Sequence, residues 1–230
     1  MPMTTGPLRS FLTACVLAVA LLLPGAVRAD GGGQWNHQPL YAGWRAGTLI
    51  GAEVQGLRGD ELGEVRDLIV GSDGHAKAVV VEAGGMLGLG QAEFIVPWKD
   101  VELGPLPATI TIQAVDADVP GLIRNSAALA RRPGDWRIGE LADRPVHLVD
   151  GRAFGRVEDL VFSRGDAALI AVLVMPEHGR NGPYAYPWAL ARVDHAFGTV
   201  RLPTTPGQLQ ALGRFDVERM QDGIVAGRPP

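Results

Sequence analysis

The chain has 230 residues, of which 20% are charged and 47% hydrophobic, a composition that fits soluble globular protein with room for more than one core. Its formal charge of −4 and its two lysines, Lys77 and Lys99, argue against nucleic-acid binding, whose affinity rests mainly on neutralised phosphates. A single cysteine, Cys15, excludes a disulfide framework.

Residues 1–29 read as a secretory signal. Met1 to Ser10 carries Arg9 and no acid, Phe11 to Leu23 is apolar apart from Thr13, and Pro24-Gly25 breaks the run. Val27-Arg28-Ala29 then places small residues where a signal peptidase reads. The apolar stretch is shorter than the roughly 20 residues a membrane-crossing helix needs. Cleavage is expected after Ala29, with export to the periplasm; the alternative is an uncleaved N-terminal anchor. Leu12-Thr13-Ala14-Cys15 looks like a lipoprotein box, but its cysteine precedes most of the apolar core, which argues against lipidation. Cleavage would remove Arg9, Arg28 and Cys15, leaving a thiol-free chain of formal charge −6. No later stretch is long and apolar enough to span a membrane.

Residues 30–43 carry Gly31-Gly32-Gly33 and predict a flexible leader, with Trp35 and Tyr41 tucked against a first domain. That domain, residues 44–130, opens at Trp44. Ile50 to Leu57 alternates in part before the turn Arg58-Gly59-Asp60. Leu62 to Val70 points Leu62, Val65, Leu68 and Val70 inward, with a shift in alternation that marks a bulge. Ser72-Asp73-Gly74 signals a turn, and Ala78-Val79-Val80-Val81 a short buried strand. The glycine-spaced Gly84 to Gly90 leads into Phe94-Ile95-Val96-Pro97-Trp98, a strand with proline at its end. Thr109 to Ile112 predicts another strand. Val119 to Ala130 predicts a short helix with Asp118 at its N-cap.

After a linker at 131–135, residues 136–216 repeat the pattern. Trp136-Arg137-Ile138-Gly139 matches Trp44-Arg45-Ala46-Gly47 at an offset of 92, and Gly155 to Leu160 matches Gly63 to Leu68 at the same offset. Leu169 to Leu173 repeats the valine strand. Pro187-Trp188 then matches Pro97-Trp98 at an offset of 90, which predicts a two-residue deletion between. Agreement in order along a whole unit means duplication. Residues 217–230 are expected to fray. Short strands with glycine-rich turns and one brief helix per unit predict a mostly β chain of two small barrels or sandwiches, each ending in a short helix.

Leu49 to Val54, Gly63 to Leu68, and Gly84 to Gly90 followed by Ile95-Val96-Pro97-Trp98 resemble, in that order, the PRC-barrel family. This is the barrel of the cytoplasmic domain of the photosynthetic reaction centre H subunit and of the C-terminal domain of a ribosome maturation factor. The resemblance covers Leu49 to Trp98. The second unit matches through Gly155 to Leu160 and Tyr186-Pro187-Trp188, but carries Met175 to Pro183 in place of the glycine-rich stretch. The resemblance implies two tandem small β-barrels that work by contacting other proteins. It implies no catalytic residue.

Gly63, Asp67, Pro97, Trp98 and their counterparts Gly155, Asp159, Pro187 and Trp188 are the structural signature. Each Trp is expected to plug one end of its barrel, rather than offer a stacking platform. Met86, Leu87 and Leu89, spaced by glycines, are candidates for an apolar docking tip, or fold over the barrel mouth. His178 and Arg180 are the candidate polar contacts of the second unit. Asp60, Glu61, Glu64 and Asp67 lack calcium-loop spacing and predict a solvated acidic turn. The five histidines show no zinc pairing, and no G-x-S-x-G is present. No cofactor or metal is expected. The sequence therefore predicts an exported, non-enzymatic interaction or assembly module with another envelope protein as partner and self-association through the barrels as a further possibility. The alternatives are a small-ligand binder with a site between the barrels near Trp188 and His178, and last an enzyme.

Overall fold

Turn residues cut the chain into short strands that run in the same order twice. The computed structural model describes residues 35–83, 92–104, 109–126, 133–178, 182–194 and 198–220. A four-residue helix α1 (Gln38–Tyr41) leads into β1 (Trp44–Arg45), α2 (Ala46–Leu49), β2 (Glu53–Gln55) and β3 (Glu61–Val70). Asp73 Oδ1 accepts from the backbone N–H of His75, and Gly74 takes φ +79°, so the chain reverses after β3. Then come β4 (Ala76–Ala83), β5 (Glu93–Pro97), β6 (Val101–Leu103), β7 (Thr109–Ile112) and α3 (Val119–Asn125). The second unit runs β8 (Trp136–Arg137), β9 (Pro145–His147), β10 (Ala153–Phe162), β11 (Leu169–Pro176), β12 (Tyr184–Pro187), β13 (Arg192–Asp194), β14 (Thr199–Arg201) and α4 (Pro206–Ala211).

Each unit builds one seven-stranded sheet. The first is ordered β5-β4-β3-β2-β7-β6 and the second β12-β11-β10-β9-β14-β13. Among the described residues, β2 with β7 and β9 with β14 are the parallel pairs. The seventh strand of each sheet belongs to the other unit. Trp44 and Arg45 lie against Phe162 and Val161, while Trp136 and Arg137 lie against Val70 and Ile69. The two units thus exchange their opening strands. Their hairpin turns also meet: Ala76 N–H donates to Ala167 O at 3.0 Å, and Leu169 N–H donates to Gly74 O at 2.8 Å.

The reason lies in strand length. β3 has ten residues, but β2 has three and ends its pairing at Glu64. The flank of β3 at Ile69-Val70 would otherwise be a bare sheet edge, with unpaired N–H and C=O groups. The other unit's Trp-Arg pair fills it.

Gly63 and Gly155 show how tightly the long strands approach. A Cβ at Gly63 would stand 2.0 Å from Glu82 O, and one at Gly155 would stand 2.0 Å from Met175 O. Register shifts follow at Val65/Asp67 and at Val157/Asp159, the bulge predicted from the alternation. Leu62, Val65, Leu68 and Val70 are buried as expected.

The inward side chains of both sheets form one continuous apolar cluster, which includes Trp44, Trp136, Val79, Val172, Ile110 and Val200. Trp44 is fully buried between the units. It stacks on Trp98 at 5.4 Å and on Phe162 at 4.5 Å. The outer faces carry a second layer. Val161, Ala171, Leu173 and Ala185 are covered by Leu40, Phe215 and Met220, with Trp35 and Tyr41 packed alongside. Their first-unit counterparts, Ile69, Ala78, Val80 and Ile95, form a matching cluster.

Several expectations change. Trp35 and Tyr41 pack on the second unit, not the first; Tyr41 stacks on Phe215 at 4.9 Å. The leader from Trp35 onward and the tail as far as Met220 are packed because an apolar outer sheet face needs cover. The first-unit helix is described over Val119–Asn125, and residues 127–130 of the expected helix lie outside the described residues. Asp118 does not cap it through its side chain; its Oδ2 accepts from Val115 N–H and closes the preceding turn. The two-residue deletion resolves into two changes. Val79 pairs with Val96, and Val172 with Tyr186. The valine strands therefore stand 93 positions apart and their partners 90. The turn gains one residue in the second unit, and the connection after it loses three.

Trp44→Ala removes the indole that both units share. It is expected to cost about 3–5 kcal/mol and to lower a single calorimetric transition; two separated transitions would contradict a common core. Trp44→Phe should be milder, because the buried indole N–H has no hydrogen-bond partner among the described residues.

Candidate functional site

The signature acids are construction elements. Asp67 sits on β3 just past the bulge and is buried. Its Oδ1 accepts from the backbone N–H of Gly139 at 3.1 Å and of Leu68 at 2.8 Å. Asp159 repeats this on β10, accepting through Oδ1 from Gly47 at 3.0 Å and Leu160 at 2.7 Å. Each carboxylate thus grips the other unit's chain just beyond its Trp-Arg strand. Glycine keeps the gripped position clear: a Cβ at Gly47 would stand 2.7 Å from Asp159 Oδ2 and force a shift, and one at Gly139 would stand 3.1 Å from Asp67 Oδ2, a tight contact. Arg45 Nη1 lies 3.9 Å from Asp159 Oδ2. The solvated acidic turn expected at residues 60–67 therefore fails for Asp67, because its side chain points to a crossing backbone and not to water.

Burial raises the Asp67 carboxyl above the ordinary aspartate value, and the N–H donors of Gly139 and Leu68 and the Arg137 charge oppose that rise only in part. Burial likewise raises the Tyr186 phenol.

Pro97 and Pro187 end β5 and β12, opposite Ala78 and Ala171. Trp98 and Trp188 follow in equivalent one-turn helices, each half-buried. Trp188 meets Trp136 at 5.5 Å and lies near Gly74 of the opposite unit. The two indoles pack against the apolar core beside the opening tryptophans. Met86, Leu87, Leu89 and Arg180 lie outside the described residues. His178 is exposed beyond the end of β11.

The structure also brings together residues that the sequence reading missed. At the far end of the second unit, three adjacent strands place His147 (β9), Arg201 (β14) and Arg192 (β13) in one row: Arg201 is the register partner of both others. They line a cavity of about 360 Å³ with Leu148, Val149, Leu202 and Pro203. Arg192 Nη1 donates to the carbonyls of Ala191 at 2.9 Å and Ala189 at 3.3 Å, and Arg201 Nη2 lies 3.5 Å from Asp194 Oδ2. No group of three or more His, Cys, Asp or Glu placed to hold a metal occurs among the described residues. The one signal in the sequence was the nine-residue spacing of Arg192 and Arg201, which carries meaning only once the register is known.

These features define a class: a doubled, mostly β scaffold of two small units, each completed by a strand from the other. Residues 45–112 match the family model of the PRC-barrel domain, so the first unit is a PRC-barrel domain. The match runs from β1 to the end of β7; the second unit is tied to it by strand order and register. No curated protein matches the chain significantly.

Asp67→Ala strands two backbone donors and is expected to cost about 1–3 kcal/mol in urea unfolding at pH 7. Asp67→Asn keeps an acceptor for both and should cost less. The raised carboxyl pKa penalises the ionised form, so the native state binds the extra proton and this site's contribution to stability falls as pH rises through the raised value. Wild type should therefore gain on Asp67→Asn as the pH is lowered from 7 toward 4; an unchanged difference would show that burial does not govern this carboxyl.

Proposed function

We propose that the chain is an exported, non-enzymatic PRC-barrel protein that serves as an interaction or assembly module in the cell envelope, with another envelope protein as its partner. The supporting observation is how its side chains are deployed. The signature acids and tryptophans join the two units to each other, while large apolar side chains stand exposed at the outer turns. Leu57 is 57% exposed and Val149 63% exposed, at equivalent positions of the two units. Each turn is anchored from behind, Leu57 N–H on Ala114 O at 2.8 Å and Val149 N–H on Thr204 O at 3.2 Å. Apolar tips on a firm scaffold favour contact with another protein. Met86, Leu87 and Leu89, with His178 and Arg180, extend the proposed contact set on the strength of their sequence pattern.

The address rests on residues 1–29, with removal after Ala29. No helix among the described residues is long and apolar enough to cross a membrane. A second reading, a periplasmic small-ligand binder, is favoured by the cavity beside Arg192 and Arg201. That cavity is lined by second-unit residues, with neither Trp188 nor His178 among them.

Two measurements test the proposal. Cell fractionation is expected to recover the protein from the periplasm with Asp30 at its N-terminus; a cytoplasmic chain beginning at Met1 would overturn the address. In affinity capture from envelope extract, Leu57→Asp with Val149→Asp, and separately Met86, Leu87 and Leu89 changed to Ser, should each lose specific proteins that wild type retains. Identical recovery from all three would remove these residues as the contact surface.

A further inference from the structure

The duplication supplies an internal control for the basic row. The first unit has the same three strands in the same register, and there the row reads Gln55, Thr111 and Glu102. The barrel therefore builds this corner without any cation. In the second unit Arg192 and Arg201 stand directly opposite each other on antiparallel strands. Like charges in that position work against folding. Asp194 offsets one of them, and no carboxylate pairs with Arg192 among the described residues. Both guanidinium groups are exposed at a concave surface. Arg192 ties down the carbonyls of Ala189 and Ala191 and Arg201 meets Asp194, but the first unit closes the same corner with Gln55, Thr111 and Glu102, so the fold does not need two opposed arginines there.

We propose that this cavity is a binding site for a small aliphatic monocarboxylate. Two guanidinium groups match a carboxylate as charge-assisted donors. His147 adds a third polar side chain to the row. Leu148, Val149, Leu202 and Pro203 give the cavity an apolar remainder, suited to a hydrocarbon body and not to a bare inorganic anion. A volume of about 360 Å³ falls in the range of small-molecule sites. It also assigns a role to exposed Val149, which would be covered by the ligand's stem. The inference deepens the small-ligand reading and rests on it; it shares Val149 with the interaction reading, but its test reads hexanoate binding and not protein capture, so the two can fail separately.

The test uses the purified protein in the form the cell accumulates, with hexanoate as the probe, hexanol and inorganic phosphate as controls, and calorimetric titration as the readout. Hexanoate is expected to bind saturably, at least about tenfold more tightly than either control. The double variant Arg192→Glu with Arg201→Thr installs the first unit's residues at two of the three positions of the row and leaves His147 in place. It should lose hexanoate binding while its unliganded melting temperature stays equal to wild type or rises. No saturable binding, or binding kept by the variant, overturns the site. Phosphate binding as tightly as hexanoate overturns the assignment of an apolar ligand body. A lowered melting temperature in the variant would show that the arginines serve the fold and overturn the inference on that ground.

Discussion

Everything in this molecule depends on a mismatch of strand lengths. β3 and β10 are ten residues long, and their neighbours β2 and β9 are three. Each long strand therefore keeps a bare flank at its far end, beside an apolar interior. The chain fills both flanks with material from the opposite unit, two residues of backbone pairing each. The Asp67 and Asp159 carboxylates then hold the incoming chain through a single oxygen that takes two N–H donors. Because the incoming strand carries a tryptophan, the exchange also threads a large apolar side chain into the joint. The single core cluster is the consequence, not a separate device.

Much of the plan was legible in the sequence. Leu62, Val65, Leu68 and Val70 marked the inward face of β3, a shift in their alternation marked a bulge, and the repeat of Trp-Arg, Gly-x-Val-x-Asp-Leu and Pro-Trp marked the two units. The exchange was not legible, and for a definite reason. Arg45 stands as far from Asp67 as Arg137 does from Asp159, so a duplicated sequence reads the same whether each acid grips its own unit's opening strand or its neighbour's. Only the register distinguishes the two. The buried state of Asp67 was hidden with it, since its partner is a backbone N–H of Gly139, 72 positions away. The packing of Trp35 and Tyr41 was misplaced because their target, the outer face of β10 to β12, lies far along the chain.

The basic row was illegible for a related reason. Arg192 and Arg201 are nine positions apart, but His147 joins them only through the parallel pairing of β9 with β14. Parallel neighbours are brought together by long connections, and a pass along the chain cannot pair them.

Duplication then separates the parts of the scaffold that can change from those that cannot. Gly63 and Gly155 face a carbonyl at contact distance, and Gly47 and Gly139 face a carboxylate, so both copies carry glycine there. At the outer corner nothing of that kind operates. β6 and β13 terminate the paired strand order of their sheets, and the side chains of the row there face solvent in part, so charge can be altered without disturbing the core. The units differ in charge. Residues 44–130 hold twelve acids against six bases, while residues 136–216 hold nine of each. A shared core links the folding of the two units, yet the same corner is built with Gln55, Thr111 and Glu102 in one and with His147, Arg201 and Arg192 in the other.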